Sequence, residues 1–293
     1  MRPPFRTSPR PAGFTLVEMA VVMAIVALLL GGLLYTLSAQ VDQRNYEETR
    51  RRLELARELI LNFAVVRGRL PCPARYASSS SHSAGQESFC TAAATSSSST
   101  CSGSETTTEQ SHGTCSNHFD GYLPAATLGF PGTDSSGFAT DAWGNRIRYA
   151  VSRTTSSGTC ATTPPNTYTT IFTSKTYLRT YGIACQPDDL LVCKSATGIT
   201  STTCGSGANQ IMSQSLVVAL VMSDGKNLSS ASTATAAASA VRTDEAANLN
   251  GDRIFVWHVP SGSDAANGEF DDQMTWIPIG ELYGRLVSAG VLP

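Results

Sequence analysis

The chain has 293 residues, a formal net charge of −2 and 41% apolar residues. This length and apolar content can bury a substantial core, in one large or two modest domains, which excludes a chain that is disordered throughout. The 21 Lys and Arg are dispersed apart from a short run at residues 50–52, so the composition lacks the basic stripe of a dedicated nucleic-acid-binding protein.

The N-terminal forty residues combine a basic segment with a long apolar one. Residues 1–13 contain three arginines and no acid, and the run Phe14–Leu37 has 24 residues with one charged side chain, Glu18. Such a run can span a bilayer as a helix, whereas the apolar part of a cleaved secretory signal is shorter. Because the next cation is Arg44, we expect the N-terminus in the cytoplasm and the remainder outside, as a single-pass inner-membrane protein.

Glu18 is an expensive residue to place in a membrane helix. Insertion scales assign a charged side chain at the helix centre roughly 2.5 to 3.5 kcal/mol, and less near an end, so a partner is expected. The sequence supplies no cation between Phe14 and Tyr35. Cleavage just before Phe14 would create one, a free α-amino group at a similar depth.

The string G-F-T-L-V-E at residues 13–18, followed by an apolar helix, resembles the prepilin signal of type IV pilins and type II secretion pseudopilins. The resemblance implies that a prepilin peptidase cuts after Gly13 and that the new N-terminal Phe14 is methylated. It also implies that Glu18 pairs with the N-terminal amine of a neighbouring subunit during assembly. A plain signal anchor is the alternative, and it requires none of these features to coincide.

A helix is predicted to continue beyond the membrane as far as Arg67. From Val41 the sequence turns polar but keeps apolar or small residues at helical spacing. These are Tyr46, Thr49, Leu53, Ala56, Leu59, Ile60, Phe63 and Val66. Gly68 and Pro71 end the pattern. We therefore expect the second half of this helix to pack on a globular head.

The remaining residues predict an antiparallel sheet with long loops. Strand-like runs lie at Arg146–Val151, Tyr168–Phe172, Leu216–Met222 and Arg253–Val259, and an amphipathic helix is predicted at Ile279–Ala289. No helical pattern of about 10 to 15 residues separates consecutive strands, so the class is α+β rather than doubly wound. The string at Asp141–Asn145 also resembles the D-x-W-G-N entry into the sheet of pseudopilin heads.

Three segments follow from these patterns. They are a cleaved leader at residues 1–13, a transmembrane and filament-packing helix at residues 14–67, and a periplasmic head at residues 68–293.

Eight cysteines lie in the middle of the chain, at Cys72, Cys90, Cys101, Cys115, Cys160, Cys185, Cys193 and Cys204. An even number in an exported segment indicates disulfides. A metal site is the weaker alternative, because the sequence has no C-x-x-C pair and no histidine at finger-like spacing. Our preferred pairings are Cys72 with Cys115 and Cys90 with Cys101, among on the order of a hundred possible connectivities.

Calcium is the one metal that the resemblance brings into consideration, because major pseudopilins bind it in a C-terminal loop. The candidate ligands are Asp244, Asn248, Asn250, Asp252, Asp271 and Asp272, with Asp264 and Glu269 nearby. The first four match only part of an EF-hand loop, since asparagines occupy two ligand positions and no glutamate follows at the twelfth. Solvated turns are the alternative interpretation of the same residues.

Three functions compete on this pattern. The first is a filament subunit of a pilus or secretion pseudopilus, whose partners are the prepilin peptidase, other pilin or pseudopilin subunits and an inner-membrane assembly platform. The second is a pilus-tip adhesin or a DNA-uptake minor pilin, although loss of the leader arginines takes the net charge from −2 to −5 and disfavours DNA binding.

The third function is a membrane-tethered periplasmic enzyme. The sequence contains no G-x-S-x-G, H-E-x-x-H or P-loop motif, and nothing in it selects a triad built on His258. We therefore expect no enzymatic activity and no nucleic-acid ligand.

Overall fold

The structure is a computed structural model that describes residues 13, 15–75, 84–93, 101–154, 170–228 and 243–292, with the backbone alone for residues 30–39. The helices are α1 (Leu16–Arg67), α2 (Ala125–Leu128), α3 (Lys175–Tyr181), α4 (Thr243–Asn248) and α5 (Ile279–Ser288). The strands are β1 (Phe89–Cys90), β2 (Glu105–Thr106), β3 (Gly121–Tyr122), β4 (Arg148–Val151), β5 (Leu191–Cys193), β6 (Gln210–Met212), β7 (Val217–Ser223), β8 (Ile254–Val256) and β9 (Gln273–Pro278).

The chain divides into two compact units, one ending at Asn45 and the other beginning at Tyr46, and the boundary falls within α1. Over the described residues, no helix combines the length and the apolarity that crossing a membrane requires.

Helix α1 ends where the sequence predicts. Gly68 adopts a φ of 73°, and its N–H donates to the carbonyl of Ala64 at 2.8 Å, so the left-handed residue closes the last turn. Within the second unit, one face of α1 is buried, and it comprises Thr49, Leu53, Ala56, Ile60, Leu61 and Ala64. The prediction for Val66 is wrong, because this side chain is 79% exposed. At about 100° per residue, Val66 lies some 120° around the helix from Ile60, outside the buried face.

The main sheet has the order β3-β4-β7-β9, and every pair in it is antiparallel. Both of its faces are covered. Tyr149 and Val221 pack in the larger core with α1 and α5, whereas Ala150 and Leu220 pack in a second core with Phe255. Coverage on both faces explains why β7 is an unbroken apolar run rather than an alternating one.

The second sheet corrects the expectation of a purely antiparallel head. Its order is β6-β5-β8, and β5 pairs with β8 in parallel, with Val192 opposite Phe255. A parallel pair needs a long connection between its strands. Here that connection contains β6, β7 and α4, and the two strands have only three residues each, so the local pattern carries no sign of the pairing.

Two of the predicted strands differ from the structure. Within the predicted strand at 168–172, Ile171 and Phe172 form part of a 3₁₀ turn, Ile171–Thr173, that leads into α3, and residues 168 and 169 lie outside the described ranges. Ser174 starts α3 because its hydroxyl oxygen accepts the N–H of Tyr177 at 3.4 Å. Of the run Arg253–Val259, only Ile254–Val256 joins a sheet.

The loop at Asp141–Asn145 connects α1 to the main sheet. One carboxylate oxygen of Asp141 accepts the N–H groups of Trp143 at 2.9 Å and Asn145 at 2.8 Å, and the other accepts the hydroxyl of Ser223 on β7 at 2.6 Å. The guanidinium of Arg52 donates to the carbonyl of Asp141 at 2.8 Å. The D-x-W-G-N string therefore has a structural role, which is to fix the helix against the sheet.

Candidate functional site

The candidate processing site lies at the start of α1. Gly13 is exposed, Phe14 lies outside the described residues, and Thr15 precedes the first helical residue. Oε2 of Glu18 accepts the backbone N–H of Thr15 at 2.8 Å and its hydroxyl at 2.9 Å. Oγ1 of Thr15 in turn accepts the backbone N–H of Glu18 at 3.2 Å.

This reciprocal arrangement is a capping box, in which the N-cap threonine and the third helical residue satisfy each other's free N–H groups. The box begins the helix two residues after the Gly13–Phe14 junction and places the carboxylate at the positive end of the helix dipole. From the sequence alone, Glu18 is predicted to be a charge in a membrane helix without a cationic partner in its own chain. The structure adds a local role, since Glu18 also caps its own helix.

Seven of the eight cysteines fall within the described residues. The structure contains the disulfides Cys72–Cys115 and Cys90–Cys101, which are the two pairings that we preferred from the sequence. A third joins Cys193 to Cys204, and Cys185 is also disulfide-bonded. Cys160 lies outside the described residues. The described part of the chain therefore has no free thiol and offers no cysteine for metal binding.

The six candidate calcium ligands separate into three places. Asp244 accepts the N–H of Ala196 and also bonds to Asn267 and His258, so it ties loops together. Asn250 and Asp252 form a local turn, in which Asn250 accepts the N–H of Asp252 at 2.8 Å and donates its amide to the same residue at 2.9 Å. These three residues hold loops and a turn in place, and the structure does not bring them together in one EF-hand loop.

The other three candidates lie close together. Asn248 donates its side-chain amide to Asp272 at 2.7 Å, and it exchanges hydrogen bonds with the backbone of Val256. Asp271 adjoins Asp272, and a carboxylate that sequence reasoning missed, Glu245, completes the group. Single carboxylate oxygens of Glu245, Asp271 and Asp272 lie within 4.8 Å of one another. We call these three residues the acidic cluster.

No local signal in the sequence marks Glu245. It lies three residues before Asn248 on α4, but Asp244 lies four residues before Asn248 and is equally its neighbour on the helix surface, so helical spacing does not choose between the two acids. The partial EF-hand pattern assumes a loop, whereas residues 243–248 form a helix. Glu245 is buried, with its Oε1 accepting the side-chain amide of Asn227 at 2.9 Å and the N–H of Asp271 at 3.2 Å.

Crowding of like charges makes this cluster difficult to ionise. Burial, with the negative charge of Glu245, raises the pKa of Asp271 from 3.8 to about 7. Burial and the charge of Asp224 raise the pKa of Asp272 well above its ordinary value. Desolvation and a like charge both disfavour the ionised form, and a bound cation would relieve both.

The oxygens of this cluster fit a hard divalent cation such as calcium. Oδ1 of Asp271 and Oδ1 of Asn227 are buried, and neither has a hydrogen-bond partner among the described residues. Glu245, Asp271 and Asp272 are the residues that would hold the ion, and Asn227, whose side-chain amide donates to Glu245 at 2.9 Å, could add a neutral oxygen. The cation would offset two of the negative charges of the cluster and tie α4 to the start of β9.

His258 does not form a nucleophilic triad with Asp244 and Ser195. Asp244 lies between His258 and Ser195, at 3.2 Å from Nε2 of the imidazole and 3.3 Å from the serine hydroxyl. A nucleophilic triad requires the histidine between the acid and the serine. The imidazole also stacks on Phe270 with ring centroids 4.0 Å apart, which gives it a packing role.

Comparison with known proteins identifies the N-terminal segment. Residues 9–34 match the family described as the prokaryotic N-terminal methylation motif. No curated protein and no solved structure matches the chain. The matched residues include the candidate cleavage junction, the capping box and the first part of α1.

Proposed function

Since this chain carries a type IV pilin-like prepilin signal, we propose that it is a structural subunit of a type IV pilus or a type II secretion pseudopilus. The observation that carries the proposal is the match to the methylation motif at residues 9–34, with its glycine, phenylalanine and glutamate at 13, 14 and 18. Cleavage after Gly13 and methylation of Phe14 would produce the subunit that enters a filament.

Membrane insertion is part of the same proposal. Two features support a membrane-spanning helix at Phe14–Leu37. The apolar run is long enough to cross a bilayer, and arginines precede it. The head would then fold in the periplasm, where its disulfides can form. The partners are the prepilin peptidase, other pilin or pseudopilin subunits and the inner-membrane assembly platform.

Within this family we propose a minor rather than a major subunit. Removing the thirteen leader residues leaves 280, which is large for a major subunit. Major pilins commonly carry a proline about twenty residues into the mature helix, and this chain has Gly31-Gly32 in that region and no proline. Each glycine weakens a water-exposed helix by about 1 kcal/mol relative to alanine, so the pair would provide a different point of flexibility.

Filament incorporation tests the proposed role. Cells that express the chain with its pilus or secretion genes are sheared, and the filament, membrane and soluble periplasmic fractions are compared by immunoblotting. A subunit should enter the filament fraction in small amounts relative to the major pilin, and it should remain in the membrane when the prepilin peptidase is deleted. A chain found only in the membrane of cells that make filaments would refute the proposed role.

A further inference from the structure

The head contains a cleft that is lined by residues of α1, by Trp257 and by the first residues of β9. It has a volume of about 290 Å³ and lies entirely within the second unit, between α1 and β9. Its polar and aromatic lining comprises Tyr46, Arg50, Glu54, Trp257, Gln273 and Thr275. Sites for small ligands begin at about 300 Å³ and place a few polar groups among aromatic side chains, so this cleft has the size and lining of a small site.

The aromatic wall of the cleft is held in place before any ligand arrives. The N–H of Trp257 donates to the carbonyl of Cys193 at 2.9 Å, which fixes its backbone beside β5. Its indole packs against Trp276 with centroids 5.8 Å apart and an interplanar angle of 81°, an edge-to-face contact. A ligand would therefore meet a preformed aromatic surface and would not have to order it.

Gln273 gives independent support for a polar ligand. Its side chain lines the cleft and is only 4% exposed, and its Nε2 is a buried donor without a hydrogen-bond partner in the part of the chain that the structure describes. Leaving a buried donor unsatisfied costs free energy that a ligand oxygen would recover. Because Nε2 itself is buried, it would reach a ligand oxygen only after the terminal amide turns toward the cleft, which the broad terminal torsion of a glutamine allows.

The charges of the cleft favour an uncharged ligand. Arg50 forms no ion pair within the described residues, unlike its neighbours Arg51 and Arg52, which both pair with Glu48. Glu54 contributes the opposite charge one helical turn away on the same wall. Its Oε2 lies 3.8 Å from Nη1 of Arg57, whose own charge is shared with Glu58 and Glu281. The two charges that line the cleft are therefore of opposite sign, and both side chains can bond to hydroxyl groups, Arg50 as donor and Glu54 as acceptor.

We propose that this cleft binds a neutral disaccharide. The apolar C–H face of a sugar ring suits the electron-rich face of Trp257 or Tyr46, while its hydroxyls suit Gln273, Arg50 and Glu54. A peptide strand fits less well, because only three residues of β9 line the cleft and its volume is small. The proposal concerns the head alone, so it can be tested without filament assembly.

Binding is measured on the full chain in a zwitterionic detergent that has no sugar headgroup. Saturation-transfer NMR and tryptophan fluorescence are recorded with lactose, maltose and N,N′-diacetylchitobiose, and with glucuronic acid and a blocked trialanine as comparators. We expect at least one neutral disaccharide to bind at millimolar concentration and to exceed both comparators. The proposal is overturned if none of the three disaccharides binds, or if a comparator binds as well as the best of them.

Matched variants distinguish this cleft from other surfaces. Gln273→Leu removes the unsatisfied donor at similar volume, so it should maintain or raise the melting temperature while weakening saccharide binding by about tenfold. Arg50→Ala should weaken binding several-fold, whereas Arg51→Ala, at an 82% exposed side chain on the same helix, should leave it unchanged. A folded Gln273→Leu protein that binds like the wild type would overturn the proposal.

Discussion

Glu18 and Thr15 hold each other at the first turn of α1. The carboxylate accepts two hydrogen bonds from the threonine, at 2.8 Å and 2.9 Å, and the threonine hydroxyl accepts one from the glutamate N–H at 3.2 Å. The acid that would pair with a neighbouring subunit is therefore already hydrogen-bonded in the single chain. Pairing with a cationic amine replaces neutral partners by a charged one, which gives a stronger bond.

The first prediction separates the charge of Glu18 from its capping role. Glu18→Gln keeps a side-chain oxygen for the capping box but removes the charge, and Glu18→Ala removes both. If the charge selects the filament register, both variants should insert in the membrane and enter filaments far less than the wild type. Glu18→Asp should retain part of the incorporation, because it keeps the charge on a shorter side chain. The measurement is the ratio of filament to membrane protein at equal expression.

Thr15→Val is the matched control for the same assay. It removes the threonine hydroxyl and leaves the carboxylate, so it should cost about 1 kcal/mol of helix capping and little incorporation. Normal incorporation of Glu18→Gln, together with a loss in Thr15→Val, would show that capping rather than charge is what assembly requires.

The second prediction concerns the disulfides of the head. Cys72–Cys115 joins buried residues 43 apart in sequence, whereas Cys90–Cys101 closes a loop with a separation of 11. The chain-entropy model relates the loss of stability to the length of the loop that a disulfide closes. Cys72→Ala with Cys115→Ala removes the longer cross-link and should lower the free energy of unfolding by about 4 kcal/mol. Cys90→Ala with Cys101→Ala removes the shorter one and should lower it by about 3 kcal/mol. Urea denaturation of the oxidised proteins measures both. Equal stability of either double variant and the wild type would contradict the prediction.

Much of the fold follows from local pattern. The bounds of α1 agree to within two residues because Thr15 and Gly68 are a cap and a left-handed stop. Strand β7 and helix α5 are also predictable from local sequence, because β7 is an unbroken apolar run and α5 has apolar residues at helical spacing. By contrast, the three-residue strands of the second sheet depend on long-range pairing, as between Val192 and Phe255, and local sequence contains too little information to specify it.

The candidate sites also differ in how far the sequence predicts them. Residues 13–18 could be found because the signal is contiguous in sequence. The acidic cluster draws Glu245 from α4 and Asp271 and Asp272 from the segment before β9, and only the tertiary fold brings them within 4.8 Å. The cleft at Trp257 and Gln273 is also assembled from distant segments, and β9 itself was not predicted.

The third prediction is a pH dependence caused by Asp271. Its pKa is raised from 3.8 to about 7 in the folded protein, so between these values the folded state binds more protons than the unfolded state. Stability should therefore fall as the pH rises from about 4 to about 7. Asp271→Asn should remove this contribution and raise the free energy of unfolding at pH 8 by on the order of 1 kcal/mol, allowing for solvent screening.

Denaturation curves at pH 4, 6 and 8 in a calcium chelator provide the measurement, with Asp264→Asn as a control at an exposed aspartate. The variant and the wild type should converge at pH 4. A destabilised Asp271→Asn protein at pH 8 would contradict the assigned crowding of charges.

The fourth prediction is stabilisation by calcium at the acidic cluster. Bound calcium would offset two of the negative charges on Glu245, Asp271 and Asp272. By mass action, calcium at a hundred times its dissociation constant should add about 2.7 kcal/mol to the stability of the wild type. The gain should be smaller at pH 5, where Asp271 holds a proton, and should be lost in Asp271→Asn. Thermal melts with calcium and with chelator test this, and an equal gain in the wild type and the variant would place the ion elsewhere.

The mass and N-terminal sequence of the protein from cells with and without the prepilin peptidase decide whether the chain is a prepilin-type precursor. We expect a mature chain that begins at methylated Phe14 when the peptidase is present and an intact leader when it is absent. Gly13→Val should block this cleavage, whereas Ala12→Val should be tolerated better. An uncleaved chain that begins at Met1 in both strains would show that the chain is not a prepilin peptidase substrate.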